Sequence, residues 1–240
     1  MLNCYTHIMV QDVQSKLLLQ KQSISRVSVV GDTRFDRVVE HALGTKSIDA
    51  IESFKASSKL FVAGSTWLRD EHFLAQLKTD LGNDWKMIIV PHEVDEKHIK
   101  KLIKLFPSAS LWSKGIDNTA STLIVDIIGV LNQVYASATI AWVGGGFDRE
   151  GVHNVIEPAV RAIPVLFGPV YEAYREANLL IENKLASSCE TIEEVLAAIH
   201  FYQIACSPSE FNQKSAIFFE QEKGATDRIL EIVTLKTYPL

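Results

Sequence analysis

Short runs rich in Val, Ile, Leu and Phe alternate with amphipathic segments along most of the chain, and this alternation most narrows what it can fold into. The runs fall at residues 27–30, 59–63, 86–90, 109–112, 123–125, 139–143 and 163–167. Each is too short for a helix and too apolar for a strand with one wet face, as in parallel sheets covered on both sides. Between them, Phe73, Leu74, Leu77 and Leu81 mark one helix face and Ile99, Leu102, Ile103 and Phe106 another, with charges opposite. Strands separated by helical crossovers predict an α/β fold with a doubly wound parallel sheet. Further helices follow, through Phe211, Phe218 and Phe219, then Ile229, Leu230, Ile232 and Val233.

The regular alternation does not cover the whole chain. Residues 31–58 are polar and charge-rich with no clear strand, so they read as a linker. Residues 1–30 then form a helix and a strand belonging to something upstream, because a single piece of this kind cannot bury its own apolar face. Residues 59–240 form the sheet domain. Residues 127–147 carry no charge and match a membrane span in length, but Asn132 and Gln133 interrupt them and three glycines close them. A helix running into a buried strand is the better parse.

Charge and cysteine usage exclude several classes. Lys and Arg number 24 against 29 Asp and Glu, a formal net charge of −5, which excludes a broad footprint for nucleic acid. Any anion site must be local. Cys4, Cys189 and Cys206 are far apart and odd in number, supporting neither a disulfide framework nor a thiolate metal site. With no basic and apolar leader before Lys16, the chain reads as intracellular. His92 and His98 lie six apart but lack a third ligand, so no metal site is expected.

Ligands of an open parallel sheet sit at the carboxyl ends of its strands, where glycine turns let peptide N–H groups approach an anion. One such place is Gly64-Ser65-Thr66, which serves either as a plain cap for the next helix or as a ligand contact. The other runs from Gly144, Gly145 and Gly146 through Gly151 to His153, Asn154, Val155, Ile156 and Glu157. It is not a P-loop, since Val152 and His153 stand where Lys and a hydroxyl residue must be. Nor is it a dinucleotide fingerprint, because Arg149 occupies the third glycine's place. What is left is a glycine loop leading to a first helical turn in which Val155, Ile156, Ala159 and Val160 face the core. Asn154 and Glu157 then share the other side, where Glu157 could accept hydrogen bonds from ribose hydroxyls. The plainer alternative is a solvated helix start.

The order of GDTRFDRV, the Gly-Ser turn, Val90-Pro91, Asp126-x-x-Gly129-x-Leu131, VGGGF, GVHNVIEP and IPVLFGP resembles one family across nearly the whole chain. It is similar to the C-terminal half of 3-deoxy-D-manno-octulosonic acid (Kdo) transferases, lipid A glycosyltransferases of the two-domain GT-B fold with Rossmann-like sheets. The resemblance implies a donor, CMP-Kdo, held mainly by this half, and transfer to a lipid A precursor with inversion and without metal or cofactor. By the same resemblance, CMP contacts fall at Pro91 and His92, at Ile128, Gly129 and Val130, and at Asn154, Val155, Ile156 and Glu157. Gly64, Ser65, Thr66, Gly145, Gly146 and His153 complete the expected site. Arg34, in GDTRFD, matches a basic linker position that would stabilise the transition state, or is an ordinary exposed arginine. The family's general base and its membrane association belong to the N-terminal part, so this fragment is expected to be soluble, to bind donor weakly and to transfer nothing. The full protein is expected at the cytoplasmic face of the bacterial inner membrane. Many members have Arg where His92 stands, and a common Met-Gly-Glu is here Ile128-Gly129-Val130. The alternative is another GT-B nucleotide-sugar module or a sugar-nucleotide epimerase.

Overall fold

A computed structural model describes residues 2–44, 46–205 and 207–237. The chain divides into two compact units, residues 1–43 with 217–240 and residues 44–216. In the first unit β1 (Ile8–Val10) and β2 (Val27–Val29) pair in parallel, joined by α1 (Val13–Lys21), and α2 (Thr33–Gly44) follows. The second unit begins with α3 (Asp49–Lys55), β3 (Lys59–Thr66), α4 (Leu68–Asp80), β4 (Trp85–Pro91), α5 (Glu96–Leu105), β5 (Ser110–Leu111) and β6 (Thr122–Ile124). It continues with α6 (Leu131–Tyr135), β7 (Ile140–Val143), α7 (Ile156–Ala159), β8 (Val165–Phe167), α8 (Arg175–Glu182), β9 (Ala186–Ser188) and α9 (Ile192–His200). A π-helical turn over Phe201–Ala205 leads to α10 (Pro208–Glu222), within which the chain returns to the first unit, and α11 (Ala225–Thr237) ends it.

The seven-stranded sheet has the order β5-β6-β4-β3-β7-β8-β9, with every pairing parallel. Its middle is dry, as the apolar runs require: Leu60, Phe61, Val62, Ile88, Ile89, Ala141, Trp142 and Val165 are all fully buried. Each large side chain removed from water contributes about 1.5–3 kcal/mol, enough for these runs to override weak local preferences.

The sequence boundaries shift in three places. Residues 31–58, read as a linker, carry two helices, of which α2 falls in the first unit and α3 in the second. Alternating charges on α2 hide a buried stripe of Phe35 and Val38. Residues 217–240 belong to the first unit, not the sheet domain: Phe218 and Phe219 each lie 5.8 Å from the Phe35 ring, and Arg228 Nε donates to the Val30 carbonyl at 2.8 Å. Residues 1–30 hold two strands rather than one.

Candidate functional site

The crevice of a doubly wound sheet opens where the chain reverses its direction of travel across the strands. From β3 the chain moves outward through β4 to β5, steps back to β6, and returns to β7 on the other flank of β3. The loops after β3 and β7 therefore face each other across this switch point, with the loop after β4 beside them.

The turn after β3 is built around close packing. A Cβ on Gly64 would overlap the Tyr135 hydroxyl and Leu131, so only glycine lets α6 approach there. Ser65 takes a left-handed conformation (φ 54°), and Thr66 is buried with its hydroxyl donating to Glu71 Oε1 at 3.2 Å. The expectation that these hydroxyls cap α4 is corrected. Trp67 holds the N-cap position, and the first-turn carboxylate of Asp70 accepts its N–H at 3.0 Å. Behind this turn His98 Nε2 meets Glu71 Oε1 at 2.7 Å, and both side chains are buried.

Asp70 also reaches across the switch point. Its carboxylate accepts the Gly145 N–H at 3.0 Å and the Trp142 indole N–H at 3.2 Å. Burial pushes its pKa up, against the lowering effect of these three bonds. Gly145 has φ 91°, and a Cβ on it would come within 2.5 Å of the Gly151 carbonyl and 2.9 Å of the His153 ring. The Gly145 N–H thus points to a protein carboxylate instead of outward, and the Gly146 carbonyl accepts the Val170 N–H at 2.8 Å.

A cavity of about 500 Å³ opens beside this loop, lined among others by Trp67, Arg69, Gly145, Asp148, Glu150 and His153. The Trp67 and His92 rings stack at 4.5 Å, and the His92 and His153 rings at 4.7 Å with only 10° between their planes. Trp67 Nε1 donates to His153 Nε2 at 2.6 Å. Partial burial, then the neighbouring His92, holds the His153 pKa below the usual imidazole range. Arg69 donates to the Phe147 carbonyl at 2.6 Å and lies 3.8 Å from the Asp148 carboxylate.

The residues singled out after β7 come together as the spacing predicts. Asn154 Nδ2 donates to Glu157 Oε1 at 2.9 Å, while Val155, Ile156 and Ala159 are buried. The helix is shorter than that pattern implies, only four residues, with Pro158 in its first turn and a turn following at Val160. On the loop before α6, Ile128 is 80% exposed and Gly129 has φ 88°, with Val130 at the N-cap position. Pro91 ends β4 and His92 follows it, exposed. Arg34 belongs to the first unit, where its guanidinium pairs with Asp32 at 2.6 Å. Trp67, Arg69, Asp70 and Glu71 escape sequence reasoning, since they read as an ordinary acidic helix start. Cys206 lies outside the described residues, and burial pushes the Cys189 thiol up to about 12. Among the described residues no group of three His, Cys, Asp or Glu side chains converges to hold a metal, and no helix is long and apolar enough to cross a membrane.

The parallel sheet, with its glycine loop at the switch point, has the α/β architecture of one half of a GT-B-like fold. The C-terminal CMP-Kdo binding domain of WaaA from Acinetobacter baumannii superposes with a TM-score of 0.61 at 16% identity, covering 76% of this chain and 97% of that one. A UDP-N-acetylglucosamine 2-epimerase gives 0.58 at 16%, covering 95% and 57%. No family model matches the chain. In sequence it is similar to 3-deoxy-D-manno-octulosonic acid transferases: that of Chlamydia trachomatis serovar A is 29% identical over 222 residues, 88% of this chain and 51% of the relative. The chain therefore spans about half the length of this curated relative.

Proposed function

We propose that this chain is the donor-binding half of a Kdo transferase, holding CMP-Kdo for transfer of Kdo to a lipid A precursor at the cytoplasmic face of the inner membrane. The observation that carries the reading is the Asn154–Glu157 pair beside the glycine loop at the switch point, in a sequence similar to these transferases. Asn154 and Glu157 receive the ribose, Pro91 and His92 flank the phosphate, and the exposed loop of Ile128, Gly129 and Val130 covers the base. The leaving group is CMP, so donors fixed around its phosphate lower the barrier by stabilising developing negative charge. Attack by the acceptor hydroxyl inverts the anomeric carbon, with no metal in the step. The general base is supplied from outside this chain, and Arg34 supplies a fixed cation that stabilises the transition state.

Residues 1–30 are the remainder of an upstream domain that carries acceptor recognition and membrane association. Exposed apolar side chains on α1 support this: Val13, Leu17 and Leu18 are each more than half exposed. By itself the fragment binds donor and is inactive.

Calorimetric titration of CMP against UMP, UDP and NAD tests the reading. Preference for CMP is expected. Preference for a uridine nucleotide would favour the rival reading, an epimerase or another nucleotide-sugar module, to which the epimerase likeness points. Glu157→Ala is expected to weaken CMP binding by about 1–3 kcal/mol through loss of a charged acceptor for the ribose. Unchanged affinity would remove Glu157 from the site.

A further inference from the structure

A nucleotide phosphate at this edge needs positive charge, and the elements around it supply little that is permanent. α6 and α7 are five and four residues long, so few peptide dipoles add up at their starts. The Gly145 N–H is held by Asp70. Arg69 is engaged by the Phe147 carbonyl and the Asp148 carboxylate, which leaves Arg161, with Nε and Nη2 buried without a hydrogen-bond partner and Glu157 within electrostatic reach, as the fixed cation on this side. The cavity wall also contains an imidazole, His153, with a second, His92, stacked on it.

Resting on the nucleotide-binding reading above, we infer that His153, backed by His92, holds the phosphate by taking up a proton, so that nucleotide and proton enter the site together. An indole N–H can only donate, so the His153 Nε2 that accepts it carries no proton and the ring is neutral in the empty site. When an oxyanion arrives, a proton from solvent binds Nε2, the bond from Trp67 gives way, and Nε2–H turns to the phosphate as a charged donor. No other covalent bond changes. Uptake occurs at one atom, His153 Nε2, so it amounts to one proton per nucleotide. The other groups around His153 are known. Trp67 faces it from the turn before α4, Arg69 from α4, His92 from the end of β4, and Asp148 and Glu150 from the glycine loop. The two acids favour the proton, Arg69 opposes it, and Glu157 is already bonded to Asn154. Burial and His92 keep the empty-site ring neutral near pH 7.5, so the proton must be acquired on binding.

The test is calorimetry near pH 7.5, in buffers of different ionisation enthalpy, with the methyl phosphodiester of CMP, whose phosphate does not titrate near neutrality. Uptake of about one proton per nucleotide is expected, with affinity falling about tenfold per pH unit as pH rises between the free and bound midpoints. His153→Gln should bind more weakly, without uptake or pH slope, and His92→Gln should keep part of the uptake. Binding of the diester without proton uptake, or full uptake in His153→Gln, would overturn the inference and leave the nucleotide reading intact. Sulfate provides a second probe, read by NMR titration of the His153 ring. If no cytidine nucleotide binds but sulfate raises the His153 midpoint, the nucleotide reading fails and the anion-linked proton stands. If neither anion moves that midpoint, the inference fails.

Discussion

Asp36 and Asp70 each lie in the first turn of a helix and each accept three hydrogen bonds, yet their surroundings drive their titration in opposite directions. In the first unit Asp36 takes the Gly224 N–H at 2.5 Å and the Thr226 N–H and hydroxyl at 2.7 Å each, at the start of α11. Its partial burial raises the pKa, but these short bonds outweigh that and hold the carboxyl below its usual range. In the second unit Asp70 is fully buried, its bonds are longer at 3.0–3.2 Å, and burial wins. Asp36 closes a local turn with the charge near water. Asp70 holds a carboxylate in the interior, where it ties the turn after β3 to the glycine loop after β7 alongside the Trp67–His153 and Arg69–Phe147 bonds. A buried charge is weak evidence for stability, and its position across the crevice marks it as the residue that sets the shape of the site.

Asp70→Ala separates these roles most sharply. It leaves the Trp67 N–H, the Gly145 N–H and the Trp142 indole without their acceptor. At about 1–3 kcal/mol for each buried donor left unpaired, the second unit should lose about 3 kcal/mol or more. Native-state hydrogen exchange should show the loss at β3 and β7, with CMP binding abolished. Unchanged protection there would make Asp70 a bystander. Asp36→Ala should cost about 1 kcal/mol, the ordinary worth of a carboxylate at a helix start. That loss should appear in the amides of α11 and leave those of β3 alone. Equal effects on both units would break the comparison.

This contrast is also where the sequence stops being legible. The strands of the sheet could be read because fully buried parallel strands need uninterrupted apolar runs, and Leu60-Phe61-Val62 or Ile140-Ala141-Trp142 fit nothing else. β9 could not, since Ala186-Ser187-Ser188 on the sheet edge pairs with one neighbour only and needs no large side chain. The glycine loop announced itself by Gly144, Gly145 and Gly146, and the Asn154–Glu157 pair by its spacing of three. Asp70 gave no sign, because its partner at Gly145 is 75 residues away, and an acid in a first helical turn is ordinary. Trp67 was missed for the same reason, although its partners His92 and His153 were expected at the site. Residues 217–240 were assigned to the wrong unit because a helical pattern does not say which core its apolar face joins.

The pH dependence gives the finest test, since it reads the two carboxylates separately in one protein. A carboxylate with a lowered folded pKa stabilises above its unfolded pKa, and that stability is lost as pH falls through the folded value. The stability that wild type holds over Asp36→Asn should therefore shrink on acidification, in the window below the ordinary aspartate pKa of 3.8. A carboxylate with a raised folded pKa behaves in reverse, because folding favours its protonated form. Wild type should gain on Asp70→Asn as pH falls from the raised Asp70 value towards 3.8. Comparing each variant with wild type cancels other groups, including Asp84 and Asp117, which the Lys59 and Thr119 side chains respectively hold low in the second unit. Denaturant titrations read by hydrogen exchange at several pH values supply both differences. If the two differences moved in the same direction with pH, burial would not be what distinguishes these aspartates, and the role given to Asp70 in shaping the crevice would lose its electrostatic basis.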